Sequence, residues 1–126
     1  MSAKYPIISV TGSSGAGTTS VKSTFERIFK RESVKASFIE GDAFHRYDRV
    51  DMKQKMAEEA ERGNNHFSHF GPEANLLEKL EQTFREFAET GGGETRHYVH
   101  DVADSERYGV APGKFTDWVP ISGNTD

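Results

Sequence analysis

The sequence predicts an α/β fold, a parallel sheet with flanking helices, on three observations. A short β-branched apolar run, Pro6 to Val10, passes straight into a glycine-rich turn, Gly12 to Thr19. An amphipathic helical pattern follows at once. A second apolar run, Val34 to Glu40, comes next, and strand, glycine turn, helix, strand is how a parallel sheet opens. A right-handed crossover would set the two strands side by side.

The first helix is expected from about Thr19 to Glu32, because Val21, Phe25, Ile28 and Phe29 recur at i, i+4, i+7 and i+8 and share a face. Gly41 to Tyr47 reads as a loop. Arg49 to Arg62 is rich in Lys, Glu, Met and Ala and predicts a surface helix. Its apolar face is limited to Met52, Met56 and Ala60, its charges are a solvated face, and Gly63-Asn64-Asn65 stops it. Residues 65 to 70 are irregular. A third helix is expected from about Pro72, a residue suited to a first turn, to Thr90. Leu77, Leu80, Phe84 and Phe87 make its stripe, and three glycines end it. Glu94 to His100 reads as a strand. Beyond Asp101 no periodicity emerges, and residues 119–126 are expected to be disordered.

Composition narrows the function. The chain has 126 residues, one domain's length, yet only 34% are apolar, a low share for a self-sufficient core. No run approaches the roughly 20 apolar residues of a membrane span, and Pro6 to Val10 is too short for the core of a secretory signal. With no Cys there is neither a disulfide framework nor a thiolate metal site, which suits a reducing cytoplasm. A net charge of -4 lacks the basic footprint of a nucleic-acid binder. The expectation is a cytoplasmic protein without membrane or nucleic-acid partners.

The glycine turn carries the first chemistry. Gly12, Ser13, Ser14, Gly15, Ala16, Gly17, Thr18 and Thr19 follow the phosphate-loop pattern G-x-x-x-x-G-K-S/T at every fixed position except Lys, which Thr18 replaces. Glycines let backbone N–H groups turn inward onto phosphate oxygens, and the helix N-terminus adds a positive dipole end. Thr19 stands where a hydroxyl ligand for Mg²⁺ belongs. A dinucleotide fingerprint fits poorly, because Gly12, Gly15 and Gly17 do not follow G-x-G-x-x-G. The motif makes the predicted sheet P-loop NTPase-like.

The loop after the second strand holds Asp42, His45, Arg46 and Arg49. In open α/β sheets ligands bind beyond the carboxyl ends of the strands, where a carboxylate can accept a proton from an attacking hydroxyl. Arg and His suit a phosphorylated substrate. Read from residue type alone, Asp42 equally fits a helix cap. His66 and His69, like His97 and His100, have i, i+3 spacing. No compact third ligand completes a metal site, so surface or substrate-contacting roles are favoured.

Five segments together, GSSGAGTTS, IEGDAFHRYDR, FSHFGPEAN, YVHD and GVAPGKFTDW, resemble the bacterial-type phosphoribulokinases, in the P-loop kinase group that also holds uridine kinase. The resemblance runs in order from about residue 5 to residue 118. Thr in place of the loop Lys is part of it. It implies transfer of the ATP γ-phosphoryl group to the 1-hydroxyl of ribulose 5-phosphate, giving ribulose 1,5-bisphosphate for the Calvin cycle, with ATP and Mg²⁺ as cofactors. It implies that Gly12 to Ser20 bind ATP, that Asp42 is the general base, that Arg31, His45 and Arg49 hold the sugar phosphate, and that Thr19 reaches the metal. A homo-oligomeric full-length enzyme, activated by NADH through regions outside this chain, is implied as well.

Members of that family are about twice as long. They continue after a segment like Phe115 to Trp118 into a strand ending Glu-Gly, which supplies the metal-site acid, whereas this sequence reads VPISGNTD. Residues 1–126 are therefore expected to be the N-terminal part of a single P-loop kinase domain, with an incomplete sheet and negligible kinase activity alone. Two further readings stay open. A uridine-type nucleoside kinase would prefer Lys at 18 and an aromatic residue at 45. A non-catalytic nucleotide-binding fragment would bind ATP without turnover.

Overall fold

The computed structural model describes residues 3–13 and 15–126. Four α-helices carry most of the regular structure: α1 (Thr18–Arg31), α2 (Arg49–Glu61), α3 (Leu77–Thr90) and α4 (Val102–Tyr108). Single turns of 3₁₀ helix lie at Gly41–Phe44 and Pro72–Ala74, and the two-residue strands β1 (Glu94–Thr95) and β2 (Val119–Pro120) pair. No helix among the described residues is long and apolar enough to cross a membrane. The chain divides into two compact units, one of residues 1–38, 84–93 and 120–126, the other of residues 39–83 and 94–119.

In the first unit, segment, glycine loop, helix and segment follow in the expected order, and α1 starts and stops within a residue of expectation. Its end is closed by bonds from Glu32 N–H to Ile28 O and Val34 N–H to Phe29 O, with Ser33 left-handed at φ 59°. Phe25 stacks on Phe29, which meets Phe38. The two expected strands, however, make no ladder among the described residues. Ile8 is 65% exposed and Val10 46%. A strand is stable only where neighbours take its N–H and C=O groups and cover its faces; Ile8 and Val10 stay uncovered, and in the second run Lys35 exchanges its bonds with Asp126, at 2.7 and 2.8 Å, rather than with a strand. Over 119–126, where disorder is expected, the structure places β2, buries Ile121 and bonds its N–H to Gly93 O.

The second unit has the denser core. Ala43, Phe44, Ala74 and Val99 are almost fully buried, and Met52 and Phe67 pack with Ala74 beside Tyr47. Here the third expected helix is split. Instead of running on from Pro72, the backbone opens at Asn75 (φ -131°, ψ 144°), and α3 begins only at Leu77. The cause is a competing partner. Arg46 N–H donates to Ala74 O at 2.8 Å and Leu76 N–H to Phe44 O at 2.7 Å, an antiparallel bridge between the Asp42 loop and the start of α3. The expected strand over 94–100 forms in part. After β1, Val99 N–H donates to Lys114 O and Gly113 N–H to Val99 O, with Tyr98 bridged to Phe115.

Helix α4 lay where no periodicity was visible, since seven residues make barely two turns. Its ends are nonetheless marked: Asp101 accepts from Asp104 N–H at 2.9 Å, and Gly109 closes it at φ 69°. Gly113, at φ 85°, turns the chain so that its carbonyl accepts Arg49 N–H at 2.8 Å. A Cβ there would stand 2.9 Å from Arg49 Cβ. Gly113→Ala should therefore destabilise the chain by about 1–3 kcal/mol, read as a lowered denaturant midpoint at constant slope.

Candidate functional site

The phosphate loop lies in the first unit. Gly15 (φ 80°) and Gly17 (φ 84°) both occupy the left-handed region, and Ala16 N–H donates to Ser13 O at 3.0 Å. Gly12 cannot take a side chain, since a Cβ would approach Ala16 Cβ to 2.9 Å. Gly17 caps α1, and the first bond within the helix runs from Val21 N–H to Gly17 O. The N–H groups of Thr18, Thr19 and Ser20 thus have no acceptor within the helix. No acidic residue sits in that first turn, and no side chain caps it. An anion meets exposed backbone donors and the positive dipole end there. Ser14 lies outside the described residues. The Thr19 hydroxyl is one hard oxygen donor of the kind Mg²⁺ accepts. No group of three His, Cys, Asp or Glu that could hold a metal occurs among the described residues.

The second unit assembles the Asp42 loop. The 3₁₀ turn Gly41–Phe44 buries Ala43 and Phe44 and leaves Asp42 half-exposed. Arg96 fixes the turn from beneath: Nε donates to Ala43 O and Nη2 to His45 O, both at 2.7 Å. Its guanidinium lies 3.7 Å from the Phe115 ring centroid and 4.5 Å from that of Trp118. So held, Asp42 faces two imidazoles. His45 Nε2 is 3.1 Å from Oδ1, and His100 Nε2 is 3.3 Å from Oδ2. The other ring nitrogen of His45 lies 2.8 Å from Asn75 Oδ1. Asp42 does not cap a helix; Asp48 does that for α2, accepting Asp51 N–H at 2.9 Å.

These contacts set the charges. The hydrogen bond from His45 holds Asp42 below the usual carboxylate range against the opposing effect of burial, and the charges of His45 and His100 add to it. The bond to Asp42 raises His45 against burial, Asn75 adds to the rise, and Arg96 opposes it. Asp42's contribution to stability is complete above its ordinary 3.8 and is lost as pH falls through its lowered value. His45's is complete below its ordinary 6.5 and is lost as pH rises through its raised value. The stability difference between the native chain and His45→Gln should therefore be largest between about pH 3.8 and 6.5 and shrink on either side, measured as Tm against pH.

Beside the pair opens a cavity of about 490 Å³, lined by His45, Arg49, Met52, Lys53, His69 and Tyr98 among others. Arg49 is anchored through Nη2 to His100 O at 2.7 Å, with its guanidinium 5.9 Å from the Tyr98 ring centroid. The Tyr98 ring meets both His45 and His100 edge-on. Asp42, His45 and Arg49 thus come together, as the sequence suggests. Arg31 belongs to the first unit, exposed at the end of α1, and pairs with Glu32 at 3.0 Å. Of the remaining histidines, His97 stacks on Tyr108, His66 is exposed, and His69 reaches the cavity. Sequence reasoning assigned no role to Asn75, Arg96 or Lys53. Only Lys53 carried a local signal, four residues after Arg49 on the same helical face.

The glycine loop entering α1, with a carboxylate loop on the following segment, defines the P-loop kinase fold. The chain belongs to the Phosphoribulokinase / Uridine kinase family, whose model matches residues 7–120. It is 63% identical to a phosphoribulokinase of Nitrobacter vulgaris, over 98% of this chain and 42% of that protein. It is 66% identical to a phosphoribulokinase of Sinorhizobium medicae, over 94% of this chain and 40% of that one. A solved structure of phosphoribulokinase from Rhodobacter spheroides matches with a TM-score of 0.83 and 53% identity, covering 97% of this chain and 40% of the other. The chain spans about two fifths of the length of each.

Proposed function

We propose that this chain supplies the phosphate-binding and acceptor loops of an ATP-dependent phosphoribulokinase, cytoplasmic and using ribulose 5-phosphate as acceptor. The observation that carries the reading is the Asp42 loop, where a carboxylate faces the imidazoles of His45 and His100 while His45 and the Arg49 guanidinium border one cavity. A sugar phosphate needs that set: cations for its phosphate and an ionised acceptor for the proton of its reacting hydroxyl.

In this reading the backbone of Gly12 to Ser20 cradles the phosphates of ATP, and no lysine at 18 is needed for binding, because peptide N–H groups supply the donors. Mg²⁺, reached by the Thr19 hydroxyl, neutralises charge on the phosphates when bound. His45 and Arg49 hold the sugar phosphate, and Arg31 is a further candidate for the same work. Asp42 is ionised, and while both imidazoles face it, it is a weak base. It accepts the proton of the sugar 1-hydroxyl when that hydroxyl takes the place of one imidazole. Homo-oligomerisation and activation by NADH belong to the proposal for the full-length enzyme.

The test is ATP-dependent ribulose bisphosphate formation in a kinase-competent protein that carries this chain. Asp42→Asn should lower kcat by about 10²–10⁴-fold with little change in KM; a threefold loss would assign the proton to another group. Arg49→Ala should raise KM for ribulose 5-phosphate about tenfold or more, the weight of a hydrogen bond to a charged group. An unchanged KM would take Arg49 out of the acceptor site.

A further inference from the structure

The side-chain amide of Asn75 is held in one orientation. Its Nδ2 donates to two backbone carbonyls, His69 O and Gly71 O, each at 2.8 Å. Turning the amide over would set its oxygen against both. Oδ1 is therefore committed as an acceptor, and it lies 2.8 Å from His45 Nδ1. A contact of that length requires a proton on Nδ1. The opposite nitrogen, Nε2, faces the Asp42 carboxylate at 3.1 Å and needs a proton too. A neutral imidazole has only one to share, so one of its nitrogens would turn a lone pair towards an oxygen.

We propose that Asn75 is a positioning residue: its fixed carbonyl oxygen, with Asp42 on the opposite side of the ring, holds His45 as an imidazolium aimed along one line. The other groups around the ring do not replace it. Arg96 donates to the His45 carbonyl, and its charge opposes the proton. Tyr98 meets the ring by its edge, and His100 lies across Asp42. Arg49, Lys53, Asp48 and His69 border the same cavity. The functional meaning rests on the reading of His45 as a phosphate ligand. A permanent cation there would recognise a phosphate monoester without first capturing a proton from water. The protonation itself does not depend on that reading.

The experiment is a histidine ring-nitrogen NMR titration of the 126-residue chain, with His45 assigned through His45→Gln. His45 should keep both ring protons to higher pH than it does in the urea-unfolded chain, with its Nδ1–H protected from solvent exchange. In Asn75→Leu, which removes the acceptor, His45 should lose its proton at lower pH than in the native chain. A His45 that titrates as in the urea-unfolded chain, or that is unmoved in a folded Asn75→Leu chain, would overturn the proposal. If Asn75→Leu does not fold, the native spectrum decides, and an Nδ1 without a protected proton overturns it. None of these readouts uses kinase turnover. Failure of the phosphoribulokinase reading would leave the titrations unchanged, and failure of the titrations would leave turnover unexplained only in its His45 step.

Discussion

The second unit turns on one short piece of backbone pairing, between Phe44–Arg46 and Ala74–Leu76. Two hydrogen bonds hold the Asp42 loop against the entry to α3, and the placing of Asn75 beside His45 depends on them. They bury Phe44 and Ala74 together in the core. They bring Asn75 beside His45, and they delay α3 so that Asn75 stays extended with its amide free to reach across. Arg96 completes the clamp from the other side with two more bonds to carbonyls of the loop. A helix running on unbroken from Pro72 would satisfy its own carbonyls and leave the Phe44 carbonyl and the Arg46 N–H to water.

The glycine loop and the Asp42 loop rest on different physics. The glycine loop presents peptide N–H groups and a helix dipole, which come from conformation and survive changes in side chains that keep the glycines. The Asp42 loop depends on side chains whose charges influence one another. Asp42 lowers its own basicity by pairing with His45, and His45 gains its charge from the same bond. The first loop is insensitive to pH over the ordinary range; the second is tuned by it.

How legible this was in the sequence depended on how local each feature is. The glycine loop, α1 and α2 were readable because caps, periodicity and motif lie within a few residues, and α1 starts within one residue of expectation. Asp42, His45 and Arg49 were readable because they share one loop. The break at Asn75 was not, since the carbonyls and amides that compete for it come from a distant segment, and Pro72 followed by an apolar stripe is a sound helix signal by itself. Arg96 resembled any charged residue in a strand. The runs at 6–10 and 34–40 have strand composition, but composition specifies no neighbour, and pairing is what makes a strand.

The clamp on the acceptor loop is also long in sequence. Arg96 reaches Ala43 across 53 positions and His45 across 51, and Arg49 reaches His100 across 51. Contacts of that separation are formed against the entropy of closing large loops, whereas α1 and its glycine turn close locally. During folding the glycine turn of α1 can therefore form before the Asp42 loop is clamped in place. A ligand of Arg49 would then do more than bind: it would hold shut a loop that spans 51 positions.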